Sequence, residues 1–216
     1  MDPKKASGPF SIPNKILVLL KDEISKILTK IFNHSFTSAK FITQLKTSRV
    51  IPLYKNKGSE QDMTNYRPIA LLSNIDKIFE KLVHRRFVSF LDKNETIFER
   101  QFRFCEKHST SHNLLTLTET IRQQLDRGEF SCAVFLDLQK AFDSVDHWIL
   151  LEKMKHYGFR GKANGWIKSY LTERKQFVQI KKSESNIKLY QLWCTSGLCS
   201  WTFTFPNIYK RPSKLS

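Results

Sequence analysis

A continuous apolar run from Cys132 to Leu136 (CAVFL) places the strongest constraint on how this chain can fold. An apolar run without polar alternation is typical of a β-strand buried on both faces, and such a strand needs neighbouring strands and covering layers. The run ends at a carboxylate, Asp137, which in that position can hold a divalent metal at the edge of a sheet. Taken alone, a strand-terminal aspartate is more often an ordinary exposed or capping residue.

Segments with helical periodicity surround this apolar run. Helices are predicted at Asn14–Ile31, Ile75–Leu91, Ser109–Asp126 and His147–Tyr157. Strands are predicted at Thr47–Tyr54 and, as a hairpin, at Gln176–Lys181 and Asn186–Leu192. Pro52 indicates an edge strand or a strand end, and Gly128 and Gly158 occupy positions where glycine favours the end of a helix. Helices followed by a buried strand predict an α+β chain with two lobes.

The charge balance is strongly positive, with 36 Lys and Arg against 20 Asp and Glu and a net charge of +16. Such a chain is expected to bind an anionic partner, either nucleic acid or membrane headgroups. The apolar run Ile16–Leu20 is far too short to span a bilayer, and no signal-peptide cleavage pattern follows it. The four cysteines form no Cys-x-x-Cys pair, so we expect reduced thiols, no zinc site and an intracellular protein that is not secreted.

The polar stretch from Lys55 to Pro68 (KNKGSEQDMTNYRP) is a candidate anion site. Lys55, Lys57 and Arg67 could clamp a triphosphate, and Arg67 offers a planar fork to phosphate oxygens. The alternative is a solvated loop closed by a Tyr-Arg-Pro turn, and residue chemistry alone favours that alternative.

A second candidate is the stretch from Gln101 to Thr110 (QFRFCEKHST). Arg103 and Lys107 stand beside aromatic residues and could contact a nucleic-acid backbone. The alternative is the entry to a helix with Ser109 as its N-cap.

Together and in this order, these stretches resemble the reverse transcriptase of non-LTR (LINE-type) retrotransposons, in particular the jockey-like branch. The matching segments are SGPFSIPNKIL, RVIPLYKNKGSEQDMTNYRPIALLSNIDKIFEKLVHRRF, QFRFCEKHST, CAVFLDLQKAFDSVDHWILLEKMKHYGFRG and SYLTERKQFVQI. The resemblance implies a right-hand polymerase with mostly helical fingers followed by an incomplete palm sheet. It also implies RNA-directed DNA synthesis, a nucleotidyl transfer that uses an RNA template, a DNA primer, deoxynucleoside triphosphates and Mg²⁺ (with Mn²⁺ as an alternative ion). The family analogy further implies a location in cytoplasm and nucleus and no membrane partner.

The resemblance assigns a role to six residues of this chain. Asp137 corresponds to the first metal-binding, catalytic aspartate, and the backbone carbonyl of Leu138 corresponds to a further metal ligand. Phe142 corresponds to the aromatic residue that blocks a 2′-hydroxyl group. The nucleotide-binding residues implied by the resemblance are Lys55, Arg67, Gln101, Leu138 and Phe142.

The resemblance also implies that the chain is an N-terminal fragment of the polymerase domain, which divides into four segments. The implied segments are a polar lead at 1–13, fingers at 14–130, the beginning of the palm with the first aspartate at 131–188, and a tail at 189–216. Within the fingers, Arg103 stands where relatives have glycine and Cys105 stands where they have arginine. The Pro-Gln-Gly segment and the later Asp-Asp pair of the family are missing, and no aspartate follows Asp146.

A change of reading frame accounts for the missing motifs. With permitted codons, Leu192 to Thr202 back-translates to a message that reads CGVPQGSVLGP one base later, which is the family motif expected at this point. We therefore expect a frameshift between Asn186 and Gln191, an out-of-frame tail at 189–216, and a chain without polymerase activity. The alternatives to an enzyme are a basic nucleic-acid-binding remnant and an unstable pseudogene product with exposed apolar surface.

Overall fold

The computed structural model describes residues 8–9, 12–94, 109–135 and 145–190. Its helices are α1 (Asn14–Leu19), α2 (Lys21–Thr37), α3 (Asn74–Lys93), α4 (Thr110–Asp126), α5 (His147–His156) and α6 (Lys162–Leu171). Its strands are β1 (Thr47–Tyr54), β2 (Tyr66–Leu71), β3 (Arg174–Ile180), β4 (Ser183–Glu184) and β5 (Lys188–Tyr190). Short 3-10 helices precede β1 and β2, at Thr43–Lys46 and Met63–Asn65. The predicted mixture of helix and sheet is thus confirmed.

The predicted helices are present, and local capping explains where they begin and end. The first is interrupted at Leu20, where α1 ends and α2 begins. The Ser109 side chain accepts a hydrogen bond from the His112 backbone N–H, as expected of an N-cap. Gly128 and Gly158 follow α4 and α5 with φ of +73° and +96°, a conformation that glycine adopts without steric penalty.

Helix α6 was not predicted, although it is one of the best-buried elements. Gly165 lies in its middle, and glycine costs a helix interior about 1 kcal/mol relative to alanine. Tertiary packing overrides that penalty, because Trp166, Ile167 and Tyr170 are each at most 2 % exposed. The local sequence therefore underestimates this helix.

The sheet has the strand order β2-β1-β3-β4, and β5 also pairs with β3. β1 is antiparallel to β2 and parallel to β3, and β3 is antiparallel to β4 and β5, which confirms the predicted C-terminal hairpin. Pro52 lies on an inner strand, but beyond the Thr47–Val50 segment that pairs with β3, so its missing N–H interrupts no bond between those strands. Strand β2 was not predicted, and its Pro68 is tolerated because β2 forms the edge of the sheet.

The prediction of a buried strand at Cys132–Leu136 is wrong for the part that the structure describes. Residues 129–135 belong to no helix or strand, and Val134 and Phe135 are 77 % and 81 % exposed. A strand buried on both faces exists only with hydrogen-bonded neighbours, and this run has no partner strand among the described residues. The apolar composition of this run therefore predicted burial, whereas the described residues are exposed to solvent.

One buried aromatic cluster holds α2, α3 and α6 together. The Phe79 ring of α3 stacks on the Phe32 ring of α2 with 4.0 Å between centroids, and Trp166 of α6 meets it edge-on at 5.4 Å. The Trp166 indole N–H donates to the Ser35 hydroxyl at 2.9 Å, so its polar atom is satisfied inside the core. Each aromatic side chain buries about 150–250 Å², so this cluster contributes a large apolar area to the core.

Candidate functional site

The β1–β2 hairpin brings together Lys55 and Arg67, two of the three cations predicted to clamp a triphosphate, while the third, Lys57, lies exposed in the loop between the strands. Leu53 pairs with Arg67, and the ladder continues one step further because the Lys55 backbone N–H donates to the Asn65 carbonyl at 2.8 Å. Alternate residues of a strand point to the same face, so Lys55 and Arg67 are diagonal neighbours on one face of the hairpin. Such neighbours are about 7–8 Å apart, within reach of one phosphate group for two long side chains.

Both cations are exposed and form no ion pair within the described part of the chain, although Lys55 interacts electrostatically with Asp62. Neither Lys55 nor Arg67 belongs to any of its ion pairs. The Lys55 amine donates to the Thr64 backbone carbonyl at 2.7 Å, which directs it across the hairpin. A neutral carbonyl is a weaker partner than a phosphate oxygen, so an anion can replace it.

The loop between β1 and β2 is tied together by its own hydrogen bonds. Gly58 accepts from the Tyr54 hydroxyl through its carbonyl, and the Asn65 side-chain amide donates to the Ser59 carbonyl at 2.9 Å. The φ of Gly58 is +81°, and a Cβ there would lie 2.5 Å from Asn65 Nδ2, so any other residue would strain the backbone and displace the Asn65 side chain. The Asp62 carboxylate accepts from the Thr64 backbone N–H at 2.8 Å, which lowers the pKa of Asp62. The loop is exposed, as its solvated alternative predicted, and it is also preorganised, but the predicted Tyr-Arg-Pro turn is wrong because these residues lie in β2.

A buried cluster of ionisable groups links α3, α6 and β3. The Arg174 guanidinium lies 3.8 Å from Asp76 Oδ2 and 4.7 Å from the centre of the Tyr170 ring, while the Tyr170 hydroxyl donates to Glu80 Oε1 at 2.5 Å. Burial raises the pKa of Asp76 to about 7, although Arg174 opposes the shift. Burial, and then the neighbouring Asp76, raise the pKa of Glu80 well above its usual value. This cluster anchors the first residue of β3 and so the sheet that carries the hairpin.

Sequence reasoning missed this cluster, although one signal was available. Asp76 and Glu80 are four residues apart and bracket Phe79 on the face of α3 that the structure buries. Two acids on a helix face that is otherwise apolar point to a buried partner of opposite charge.

A second ion pair sits where β1 and β3 begin their parallel pairing. Lys46 precedes β1, Glu173 precedes β3, and Lys46 Nζ lies 3.9 Å from Glu173 Oε2. The Lys46 side chain is 5 % exposed, and this burial lowers its pKa, while Glu173 opposes the shift. The pair therefore aligns the starts of the two strands.

The other predicted site residues lie outside the described residues: Gln101, Arg103, Cys105, Lys107, Asp137, Leu138 and Phe142. Within the described ranges, no group of three or more His, Cys, Asp or Glu side chains could hold a metal ion. None of the helices described is long and apolar enough to cross a membrane.

Comparison with known proteins places this geometry in a family. The family model for reverse transcriptase (RNA-dependent DNA polymerase) matches residues 54–198, which include Lys55 and Arg67. The chain is similar to a probable RNA-directed DNA polymerase from transposon BS of Drosophila melanogaster, with 33 % identity over 84 % of this chain. It is similar also to the RNA-directed DNA polymerase from mobile element jockey of Drosophila melanogaster, with 32 % identity over 86 % of this chain. The chain spans 20 % of the length of each of these relatives. It therefore belongs to the reverse transcriptase (RNA-dependent DNA polymerase) family, as a homologue of the polymerases of jockey-like non-LTR retrotransposons.

Proposed function

We propose that this chain is the fingers and first palm portion of a right-hand RNA-directed DNA polymerase, and that its β1–β2 hairpin holds the phosphates of an incoming deoxynucleoside triphosphate. The observation that carries the proposal is the placement of Lys55 and Arg67 on one face of that hairpin. In this arrangement fingers occupy 14–130 and the palm begins at 131–188. The lead at 1–13 and the tail at 189–216 lie outside both.

The two cations suit different parts of a triphosphate. The planar Arg67 guanidinium can donate two parallel hydrogen bonds to one phosphate group, whereas the Lys55 ammonium acts as a compact point charge. The hairpin also exposes apolar surface next to Arg67, since Leu53 is its cross-strand partner and is 51 % exposed. A nucleoside can lie on that surface while its phosphates contact the cations.

The chemistry of the intact family depends on residues further along the chain. We propose that Asp137 and the Leu138 carbonyl are ligands for Mg²⁺, with Mn²⁺ as an alternative ion, and that Phe142 excludes a 2′-hydroxyl group. Gln101 would guide the RNA template and the nucleotide. Bound Mg²⁺ would neutralise phosphate charge during transfer to the primer. The corresponding location is intracellular, in cytoplasm and nucleus.

We propose further that this chain is catalytically inactive as it stands. Two-metal phosphoryl transfer needs carboxylates beyond the first aspartate, and the sequence has no aspartate after Asp146. The family motif that reappears one base away at Leu192–Thr202 supports a shifted frame as the cause.

A non-catalytic nucleic-acid-binding remnant is the second candidate function. The net charge of +16 and the cations of the hairpin, which have no ion-pair partners among the described residues, favour it. An unstable pseudogene product is the third alternative, and the exposed Phe130, Val134 and Phe135 side chains favour that one. A cooperative unfolding transition of the purified chain would exclude the unstable product.

The first test measures binding of a fluorescent deoxynucleoside triphosphate by anisotropy. The variant Lys55→Gln/Arg67→Gln is expected to bind at least about tenfold more weakly, since each charge-assisted hydrogen bond contributes about 1.5–3 kcal/mol. The matched control is Lys26→Gln/Arg122→Gln, which removes one lysine and one arginine from other elements. Equal loss in both variants would show that net charge, and not the hairpin, binds the nucleotide.

The second test measures primer extension on an RNA template. The 216-residue chain is expected to incorporate no deoxynucleotide, whereas a chain with the reading frame restored from residue 189 should recover Asp137-dependent extension. Adding Arg103→Gly and Cys105→Arg to the restored frame tests whether these two positions impair the fingers. Asp137-dependent incorporation by the unrepaired chain would contradict the proposed inactivity.

A further inference from the structure

The outward face of α3 carries two exposed cations, Lys81 and Arg85, that form no ion pair with the described residues. Lys81 and Arg85 are exposed and four residues apart, and Lys77 precedes Lys81 by the same interval. The positions three and four residues from Lys81 hold Lys77, Ile78, His84 and Arg85. Like charges at this spacing destabilise a helix, so the arrangement has no stabilising purpose within α3.

Three cations on other helices of the described chain each pair with an acid one turn away. Lys26 pairs with Glu23 on α2, Arg122 with Glu119 on α4, and Lys155 with Glu152 on α5, each at a spacing of three residues. On α3 the acids Asp76 and Glu80 are instead buried at 0 % and 3 % exposure. The helix therefore directs acids inward and bases outward, and its exposed acid Asp92 lies about 10 Å beyond Arg85 along the axis.

Arg86 does not belong to this set, since its guanidinium lies 5.4 Å from the centre of the Phe36 ring. Lys81 and Arg85, by contrast, form no ion pair with any described residue. Lys81 and Arg85 are about 6 Å apart along the helix axis. A nucleic-acid duplex presents one negative charge about every 1.7 Å of its axis, so two cations at this spacing can each meet a phosphate.

We infer that the outward face of α3, through Lys81 and Arg85, is a second contact for the phosphate backbone of nucleic acid, separate from the β1–β2 hairpin. The inference rests on the proposed function, because it assigns part of the same primer–template to a second element. Phosphate contacts position a nucleic acid without reading its sequence, so this contact is independent of base composition.

The test measures binding of an RNA–DNA hybrid duplex by fluorescence anisotropy between 50 and 200 mM salt, a range in which each phosphate contact contributes about 0.9 to the slope of log K against log salt. The variant Lys81→Gln/Arg85→Gln is expected to flatten that slope by about 1.8. The matched control Lys26→Gln/Arg122→Gln removes the same number of charges. It should change the salt slope by less than about half of the change expected for Lys81→Gln/Arg85→Gln. The charge-conserving variant Lys81→Arg/Arg85→Lys should retain the wild-type slope.

A stability measurement separates binding from a structural role. Relief of like-charge repulsion should leave the thermal midpoint of Lys81→Gln/Arg85→Gln equal to or above that of the wild type. The inference would be overturned if Lys81→Gln/Arg85→Gln had a lower thermal midpoint and the control variant lost binding to the same extent. It would also be overturned if the salt slope of Lys81→Gln/Arg85→Gln equalled that of the control variant. If the wild type bound without salt dependence, the proposed function would fail as well. If the variant Lys55→Gln/Arg67→Gln alone lost binding, only the α3 contact would be refuted.

Discussion

The buried Asp76 carboxyl should make the stability of this protein fall as pH rises from 4 to 7. Burial raises the pKa of Asp76 from 3.8 to about 7, so between these values the folded chain holds a proton that the unfolded chain has lost. Stability from this group is therefore fully present below pH 3.8 and is lost as pH rises through about 7. At about 1.4 kcal/mol per pH unit, the unfolding free energy falls by roughly 4 kcal/mol over that range.

The variant Asp76→Asn removes this titration while keeping the size of the side chain. Urea unfolding followed by far-UV circular dichroism at pH 4, 5, 6 and 7 gives the difference in unfolding free energy between variant and wild type. That difference should grow in favour of the variant by roughly 4 kcal/mol across the series. Asp92→Asn, on the exposed side of the same helix, is the matched substitution against which the trend for Asp76→Asn is compared. A flat or opposite trend for Asp76→Asn would refute the reasoning.

Three further predictions concern other parts of the molecule. Tyr170→Phe should lower the unfolding free energy by about 1–3 kcal/mol in a denaturant titration, since it removes the hydroxyl that donates to the buried Glu80; an unchanged midpoint would contradict it. Gly58→Ala should loosen the β1–β2 loop, where φ is +81° and Asn65 leaves no room for a Cβ, and faster hydrogen exchange at Lys55 and Asn65 would report this. Mg²⁺ titration calorimetry without nucleotide should show no stoichiometric site, because Asp137 offers one carboxylate and Mg²⁺ usually needs substrate phosphates as well; tight binding that Asp137→Ala abolishes would disprove it.

The helices that sequence reasoning located best are those with local signals at both ends. Helix α4 has the Ser109 cap and Gly128, and helix α5 ends before Gly158. These signals act within one or two turns, so they need no tertiary context. For the candidate site, the Lys55–Pro68 stretch could be selected from the sequence. Its pairing across a hairpin could not be predicted, because Pro68 argues against a strand at Tyr66–Leu71.

The sequence by itself determined the family, the mixture of helix and sheet and the identity of the hairpin cations, because motifs and caps are encoded in short runs of residues. Tertiary structure alone decided which of those residues are buried. Trp166 and Tyr170 pack into the core and stabilise helix α6, which Gly165 weakens. Val134 and Phe135, by contrast, are exposed in an apolar run that has no partner strand among the described residues. The same applies to Asp76 and Arg174, which are about 100 residues apart and meet only in the core. Burial depends on contacts between distant segments, and the desolvation that raises the pKa of Asp76 exists only once those contacts have formed.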